Sequence, residues 1–153
     1  MSTESPSIHV SLPGASIAVV ASLWNAPIVD KLVEGAIGSI ESADASYKEF
    51  RVSGAFELPL VVAECLKTFD AAIALGVVLR GDTVHFDYIC TSVTNGLTEV
   101  VLKAEKPVGF GVLMVETIEQ ALERIEPRNN KGKESAEAVL FSLKQLSDIR
   151  GLA

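Results

Sequence analysis

The sequence predicts an α/β domain built on a four-stranded parallel sheet with helices on both faces. Four short runs have the apolar or alternating composition of strands, and each is followed by a longer segment whose apolar residues recur at helical spacing. Regular alternation of strand and helix favours parallel strands joined by right-handed crossovers. No internal repeat or low-complexity linker interrupts this order, so the 153 residues are expected to contain one domain.

Composition excludes several classes of protein. Hydrophobic residues make up 48% of the chain and charged residues 22%, which is typical of a globular fold and not of a disordered chain. The net charge of −7 argues against a nucleic-acid partner, which requires a basic face. No apolar run has the length of a membrane span and no signal-peptide pattern is present, so a cytoplasmic location is expected. The mean hydropathy of +0.35 predicts apolar surface that is covered in an oligomer.

The two cysteines, Cys65 and Cys90, are expected to be reduced thiols in the core. They lack CxxC spacing and a paired histidine, so no metal site is predicted.

The first part of the chain is expected to be an arm followed by a strand and a helix. Residues 1–14 are polar and predict a flexible N-terminal arm, either loose or bound to a partner, with the domain at 15–153. The first strand is Ser16–Ser22, and Pro27 suits the first turn of the helix that follows. Trp24 lies between these elements. Its pattern fits either a packing side chain under a loop or a flat wall for a ring-shaped ligand.

The second strand, Tyr47–Ser53, alternates polar and apolar residues and is expected at an edge of the sheet. A helix is predicted from about Glu57 to Thr68, with Pro59 in its first turn. Glu57 therefore lies near a helix N-terminus, where a carboxylate either complements the helix dipole or serves a site.

The third strand, Ile73–Leu79, is continuously apolar, as expected of a strand that is buried on both faces. A glycine turn then leads into a helix that reaches about Lys103. Ligands bind at the carboxyl ends of parallel strands, and a helix N-terminus attracts anions, so the turn at Gly81 predicts an anion site. His85 lies in the first turn of this helix and adds a group that can accept a proton at neutral pH.

The fourth strand, Pro107–Val115, precedes two helices. Thr117 and Gln120 predict a capping box at the start of the first of them. The apolar residues of that helix are expected to face the core: Ile118, Ala121, Leu122 and Ile125. The last helix is expected to end near Gly151.

Unusual residues follow three of the four predicted strands. If these strands are neighbours in the sheet, Trp24, Asn25, the turn Gly54–Glu57 and the turn Gly81–His85 share one crevice.

At these residues the chain resembles a known family, that of the lumazine synthases. The resemblance extends from about Ser16 to Arg150, and four blocks in the same order carry it. The blocks are Gly54–Pro59, Gly76–Gly81 with His85–Tyr88, Thr117–Ala121 with Glu123 and Arg124, and Asn130–Gly132.

The resemblance implies a three-layer α/β/α flavodoxin-like fold, assembled as a homopentamer with each active site between two neighbouring subunits. It implies a transferase that joins 5-amino-6-(D-ribitylamino)uracil to 3,4-dihydroxy-2-butanone 4-phosphate. The products would be 6,7-dimethyl-8-ribityllumazine, phosphate and water, in the penultimate step of riboflavin biosynthesis. Neither a metal nor a cofactor is implied. Association of pentamers into larger shells stays open, and riboflavin synthase is a further partner that the resemblance suggests.

The resemblance also implies roles for individual residues, with His85 as the proton-transfer group. The residues that would bind the pyrimidine and the ribityl chain are Trp24, Asn25, Ala55, Phe56, Glu57, Val78, Leu79 and Phe110. The residues that would bind the phosphate are Gly81, Asp82, Thr83, Arg124 and Lys131. Phe110 and Arg124 would come from the neighbouring subunit, and Gly81–Thr83 would bind through their backbone N–H groups.

Other functions of the same fold class fit less well. An FMN-binding protein would carry a phosphate loop rich in Ser, Thr and Gly after the first strand, and Leu23–Pro27 is not one. A phospho-receiver would carry acidic residues at the end of that strand, where Ala21 and Ser22 are neutral. A family member that stores flavin or acts as a scaffold stays open, although His85, Arg124 and Lys131 argue against it.

Overall fold

The central sheet has four parallel strands, in a computed structural model that describes residues 5–151. The strands are β1 (Ser16–Ser22), β2 (Ser46–Val52), β3 (Ala71–Leu79) and β4 (Val108–Val115). Their order across the sheet is β2-β1-β3-β4, so β1 and β3 are central. β2 lies at an edge, as its alternating sequence predicts. The order reverses between β1 and β3, and ligands bind at such a point in open parallel sheets.

Helices cover both faces of the sheet, which confirms the predicted three-layer α/β/α class. The helices are α1 (Ala26–Ser42), α2 (Leu58–Cys65), α3 (His85–Ala104), α4 (Ile118–Glu123) and α5 (Lys131–Gly151). On one face α1 and α5 pack against inward side chains such as Ile17 and Ile73. On the other face α2 and α3 pack against Ala18 and Ala74. Successive residues of one strand therefore serve different layers, as the pleat requires.

The helix predicted from about Glu57 to Thr68 begins one residue later than expected and ends three residues earlier. Residues Ala55–Glu57 form a 3₁₀ turn, and α2 begins only at Leu58 and ends at Cys65. The side chain of Glu57 explains the start, because its Oε2 accepts the Gly54 N–H at 3.0 Å and holds the turn outside the helix. Pro59 lies in the first turn of α2, as predicted.

The start of α4 is only partly as predicted. Thr117 Oγ1 accepts the Gln120 N–H at 3.3 Å, but the Gln120 side chain accepts the N–H of Glu116 at 2.9 Å and not that of Thr117. The expected burial of four apolar residues is also wrong, because Ile118 and Leu122 are exposed. A six-residue helix has fewer than two turns, and here it buries Ala121.

The two cysteines differ in burial. Cys65 is buried and free, whereas Cys90 is free but only half-buried, so the prediction of two core thiols is correct for Cys65 alone. Burial raises the pKa of both thiols.

The Leu12 N–H donates to the Ala43 carbonyl at 2.7 Å. Residues 1–4 of the predicted arm lie outside the described residues, and the flexibility of 1–14 stays a prediction.

The junction between α4 and α5 is held against α1 by Asn130 and Gly132. Asn130 Nδ2 donates to the Lys31 carbonyl at 2.9 Å, while Asn130 Oδ1 accepts the Lys133 N–H at 3.0 Å. A Cβ atom added to Gly132 would overlap the Leu32 carbonyl oxygen and lie 2.6 Å from the carbonyl carbon. The short Asn130–Gly132 block therefore fixes where α5 begins.

The two edges of the sheet differ in charge. β2 carries Lys48, Glu49 and Arg51, whereas Val108–Val115 of β4 contains no charged residue.

Between residues 5 and 151 the structure has no helix with the length and apolar character needed to cross a bilayer.

Candidate active site

A crevice of about 450 Å³ lies at the carboxyl ends of β1, β2 and β3. Three turns converge there, one after each strand, as the sequence predicts for neighbouring strands. Ten of the predicted site residues line it: Trp24, Asn25, Ala55, Phe56, Glu57, Val78, Leu79, Gly81, Thr83 and His85. Gly54, Val77, Arg80, Phe86 and Ile89 complete the lining.

Trp24 forms one wall of the crevice. The N–H groups of Leu23 and Trp24 donate to the carbonyls of Val52 and Ser53, which extends the pairing of β1 with β2 and fixes the backbone. The Trp24 side chain is nevertheless 72% exposed, so it does not pack beneath a loop. The packing interpretation of its sequence pattern therefore does not hold within this chain, and a wall for a ring-shaped ligand stays a prediction.

Asn25 holds the same corner of the crevice. It adopts the left-handed conformation with a φ of 60°, which Asn tolerates better than most residues. Its Nδ2 donates to the Val77 carbonyl at 3.3 Å and so ties the end of β1 to β3.

The turn after β2 presents both an apolar and an acidic side chain. Phe56 is 58% exposed beside the buried Ala55. One oxygen of Glu57 is occupied by the Gly54 N–H, which orients the carboxylate at the rim of the crevice.

The turn between β3 and α3 places a helix N-terminus on the crevice. Gly81, Thr83 and His85 line the cavity, while Asp82 is exposed and does not. Thr83 Oγ1 accepts the His85 N–H at 3.3 Å. Free N–H groups and the partial positive charge of a 20-residue helix therefore face the space next to His85. Among residues 5–151, no three His, Cys, Asp or Glu side chains are grouped so that they could hold a metal ion.

Arg80 is a member of the crevice that the sequence patterns miss. Its guanidinium forms a bidentate pair with Asp87 at 3.0 and 3.2 Å, and its Nε donates to Glu116 at 2.6 Å. It also lies 4.2 Å above the centroid of the Phe86 ring. The hydrogen bonds from Arg80 hold the pKa of Asp87 below its usual value. An arginine with an aspartate seven positions later is the only sequence signal, and that signal is weak.

The remaining predicted site residues lie elsewhere. Phe110, Arg124 and Lys131 line a separate cavity of about 280 Å³ along β4, which shares no lining residue with the crevice. Arg124 Nη1 donates to the Gln120 carbonyl at 2.7 Å, and Lys131 Nζ pairs with Glu134 at 2.9 Å. One chain thus carries two groups of predicted site residues, and it does not bring them together by itself.

Comparison with known proteins identifies the family. The family model described as 6,7-dimethyl-8-ribityllumazine synthase matches residues 14–147. The protein of that name from Thermobifida fusca is 45% identical, over 95% of this chain and 90% of its own length. The one from Corynebacterium glutamicum is 48% identical over 92% of both, and that from Kineococcus radiotolerans is 44% identical over 97% and 94%. With a match over most of its length, this chain belongs to the 6,7-dimethyl-8-ribityllumazine synthase family.

Proposed function

We propose that the chain catalyses the condensation of 5-amino-6-(D-ribitylamino)uracil with 3,4-dihydroxy-2-butanone 4-phosphate. The products are 6,7-dimethyl-8-ribityllumazine, phosphate and water, the penultimate step of riboflavin biosynthesis in the cytoplasm. The observation that carries the proposal is the convergence of Trp24, Glu57, Gly81 and His85 on one crevice in a member of this family.

The pyrimidine half of the reaction uses the walls that follow β1 and β2. A flat ring stacks on the exposed Trp24 side chain, whose large apolar face favours aromatic ligands. Hydroxyl groups of the ribityl chain reach the backbone of Ala55 and Phe56 and the carboxylate of Glu57. Val78 and Leu79 contact the edge of the uracil at the end of β3.

The phosphate half uses the turn after β3. Backbone N–H groups of Gly81–Thr83 and the N-terminus of α3 bind the dianion. Condensing an amine with a ketone, eliminating phosphate and closing a ring require several proton transfers. His85 relays them, for which the typical gain is about 10²–10⁴-fold. Holding both reactants together contributes more, up to roughly 7–11 kcal/mol in ideal cases, and needs neither metal nor cofactor.

The second group of site residues serves a neighbouring subunit in a homopentamer. Phe110, Arg124 and Lys131 form a half-site that their own crevice does not use. Apolar side chains are exposed in two regions of the chain. One contains Leu60 on α2, Val84 in the turn before α3 and Tyr88 on α3. The other, towards β4, contains Leu102, Phe110 and Phe141. Exposed apolar surface of this extent is typical of an interface between subunits.

The most direct test mixes purified protein with both substrates and follows the absorbance of the lumazine product. We expect a rate well above the spontaneous background. A rate equal to the background, with yellow flavin copurifying, would instead identify a flavin carrier and reject the enzymatic proposal.

The oligomeric state is tested separately by multi-angle light scattering. We expect five times the chain mass of 16.2 kDa, or a multiple of that value if pentamers associate. A stable monomer contradicts the proposal of shared sites, because each crevice would then lack Arg124 and Lys131.

A further inference from the structure

Arg80 connects three parts of the fold around the phosphate-facing turn. It is the first residue after β3, and its N–H donates to the Val115 carbonyl at 3.0 Å, which continues the pairing of β3 with β4. Its side chain reaches forward to Phe86 and Asp87 in the first turn of α3. It also reaches sideways to Glu116, which follows β4. The backbone and the side chain of Arg80 are therefore fixed by different elements.

The position of Arg80 in the crevice suggests a phosphate ligand, but its bonding argues otherwise. A guanidinium has five N–H donors, and Asp87 and Glu116 together occupy three of them. Two carboxylates beside one guanidinium leave a net negative cluster, which repels a phosphate dianion. The bidentate pair is also directional, so leaving Asp87 to bind phosphate would lose two charge-assisted hydrogen bonds.

The segment that Arg80 spans is otherwise held by local bonds. The His85 N–H donates to Thr83 Oγ1, and the N–H groups of Asp87 and Tyr88 donate to the Val84 carbonyl. Residues 81–85 are exposed, so packing contributes little to their placement. The guanidinium joins the residue before this segment to the residues directly after it, and so sets the distance between the two ends.

We propose that Arg80 is a positioning residue, which fixes the backbone amides of Gly81–Thr83 relative to the His85 imidazole and does not itself bind the phosphate substrate. The inference rests on the proposed function of the crevice. Misplacement of reacting groups by about 1 Å can cost about 10²-fold in rate, so the clamp has a measurable consequence.

The test compares Arg80→Lys with Arg51→Lys. Lysine keeps the positive charge but cannot form the bidentate fork together with the bond to Glu116. Arg51 is a matched control outside the crevice, because it also pairs with two carboxylates, Asp30 and Glu49, and has 29% side-chain exposure against 36% for Arg80. Asp87→Asn removes the negative charge and one of the two acceptor oxygens, so the bidentate pair is lost while Arg80 is unchanged.

We expect Arg80→Lys to lower kcat by about 10²-fold, with little change in either KM or in the affinity for inorganic phosphate measured by calorimetry. Asp87→Asn should lower kcat in the same direction, and Arg51→Lys should behave like the unmodified protein. An unchanged kcat in Arg80→Lys overturns the proposal. So does a loss of affinity for inorganic phosphate in Arg80→Lys that is as large as its loss of kcat, because the guanidinium would then be acting as a ligand.

Amide hydrogen exchange separates this proposal from the proposed function. Arg80→Lys should speed exchange of the Asp87 and Tyr88 amides, whose N–H groups donate to the Val84 carbonyl, by about tenfold, the factor that corresponds to losing one charged hydrogen bond, and Arg51→Lys should not. If the unmodified protein forms no lumazine, the function fails while this readout still decides the role of Arg80. Unchanged exchange overturns that role. If Arg80→Lys fails to fold or to assemble, Asp87→Asn carries the same comparison.

Discussion

Replacing Gly132 by alanine is expected to lower the free energy of unfolding by about 3 kcal/mol, the upper part of the range for overpacked sites. The added methyl group would overlap the backbone of Leu32, and a backbone carbonyl cannot move aside as a flexible side chain can. The measurement is urea unfolding followed by circular dichroism at one fixed chain concentration, because the stability of an oligomer depends on concentration.

Gly38 provides the matched control for this substitution. It lies within α1, is exposed, and has no atom within 4 Å of an added Cβ. Gly38→Ala should therefore stabilise the chain by about 0.5–1 kcal/mol through helix propensity alone. If both variants shift the unfolding midpoint in the same direction, close contact between α1 and α5 is not what requires glycine at position 132.

Replacing Arg124 by alanine is expected to raise KM for the phosphate substrate by about 10²-fold, which corresponds to about 2.7 kcal/mol for a lost charge-assisted hydrogen bond. KM for the pyrimidine should stay near its original value, because Arg124 faces the phosphate in the proposed shared site. Steady-state kinetics measures both values when each substrate is varied in turn and the other substrate is kept at a saturating concentration.

Arg128 is the control for the loss of charge. It is an exposed arginine four positions later that lines neither the crevice nor the β4 cavity, so Arg128→Ala should leave both KM values unchanged. Equal weakening of both substrates by Arg124→Ala contradicts its assigned role. It would indicate a general loss of the assembled site instead.

The sheet is the most predictable part of the fold. The ends of the four strands follow from the sequence to within two residues, the largest error being the start of β3 at Ala71 and not at Ile73. Strands buried on both faces, such as β1 and β3, are continuous apolar runs with polar ends. The 3₁₀ turn before α2 is less predictable, because a side-chain bond from Glu57 to the backbone of Gly54 holds it. Such a bond competes with the helix and leaves no periodic signal.

The crevice was predictable where it depends on chain order. Trp24, Glu57 and His85 each follow a strand end, and the parallel sheet brings those ends together. The role of Arg80 was not predictable in this way, because its partner Glu116 is 36 positions away and follows a different strand. Spatial pairs of that kind become visible only when β3 and β4 are side by side.

The unequal edges of the sheet have a consequence for the newly made chain. In a single folded chain β4 is an edge strand with a neighbouring strand on one side only, and Val108–Val115 has no charge to discourage pairing with a strand of another molecule. The other edge strand, β2, carries Lys48, Glu49 and Arg51, and these charges disfavour pairing with a strand of another molecule. Aggregation during synthesis or refolding is therefore expected to start at β4 and not at β2.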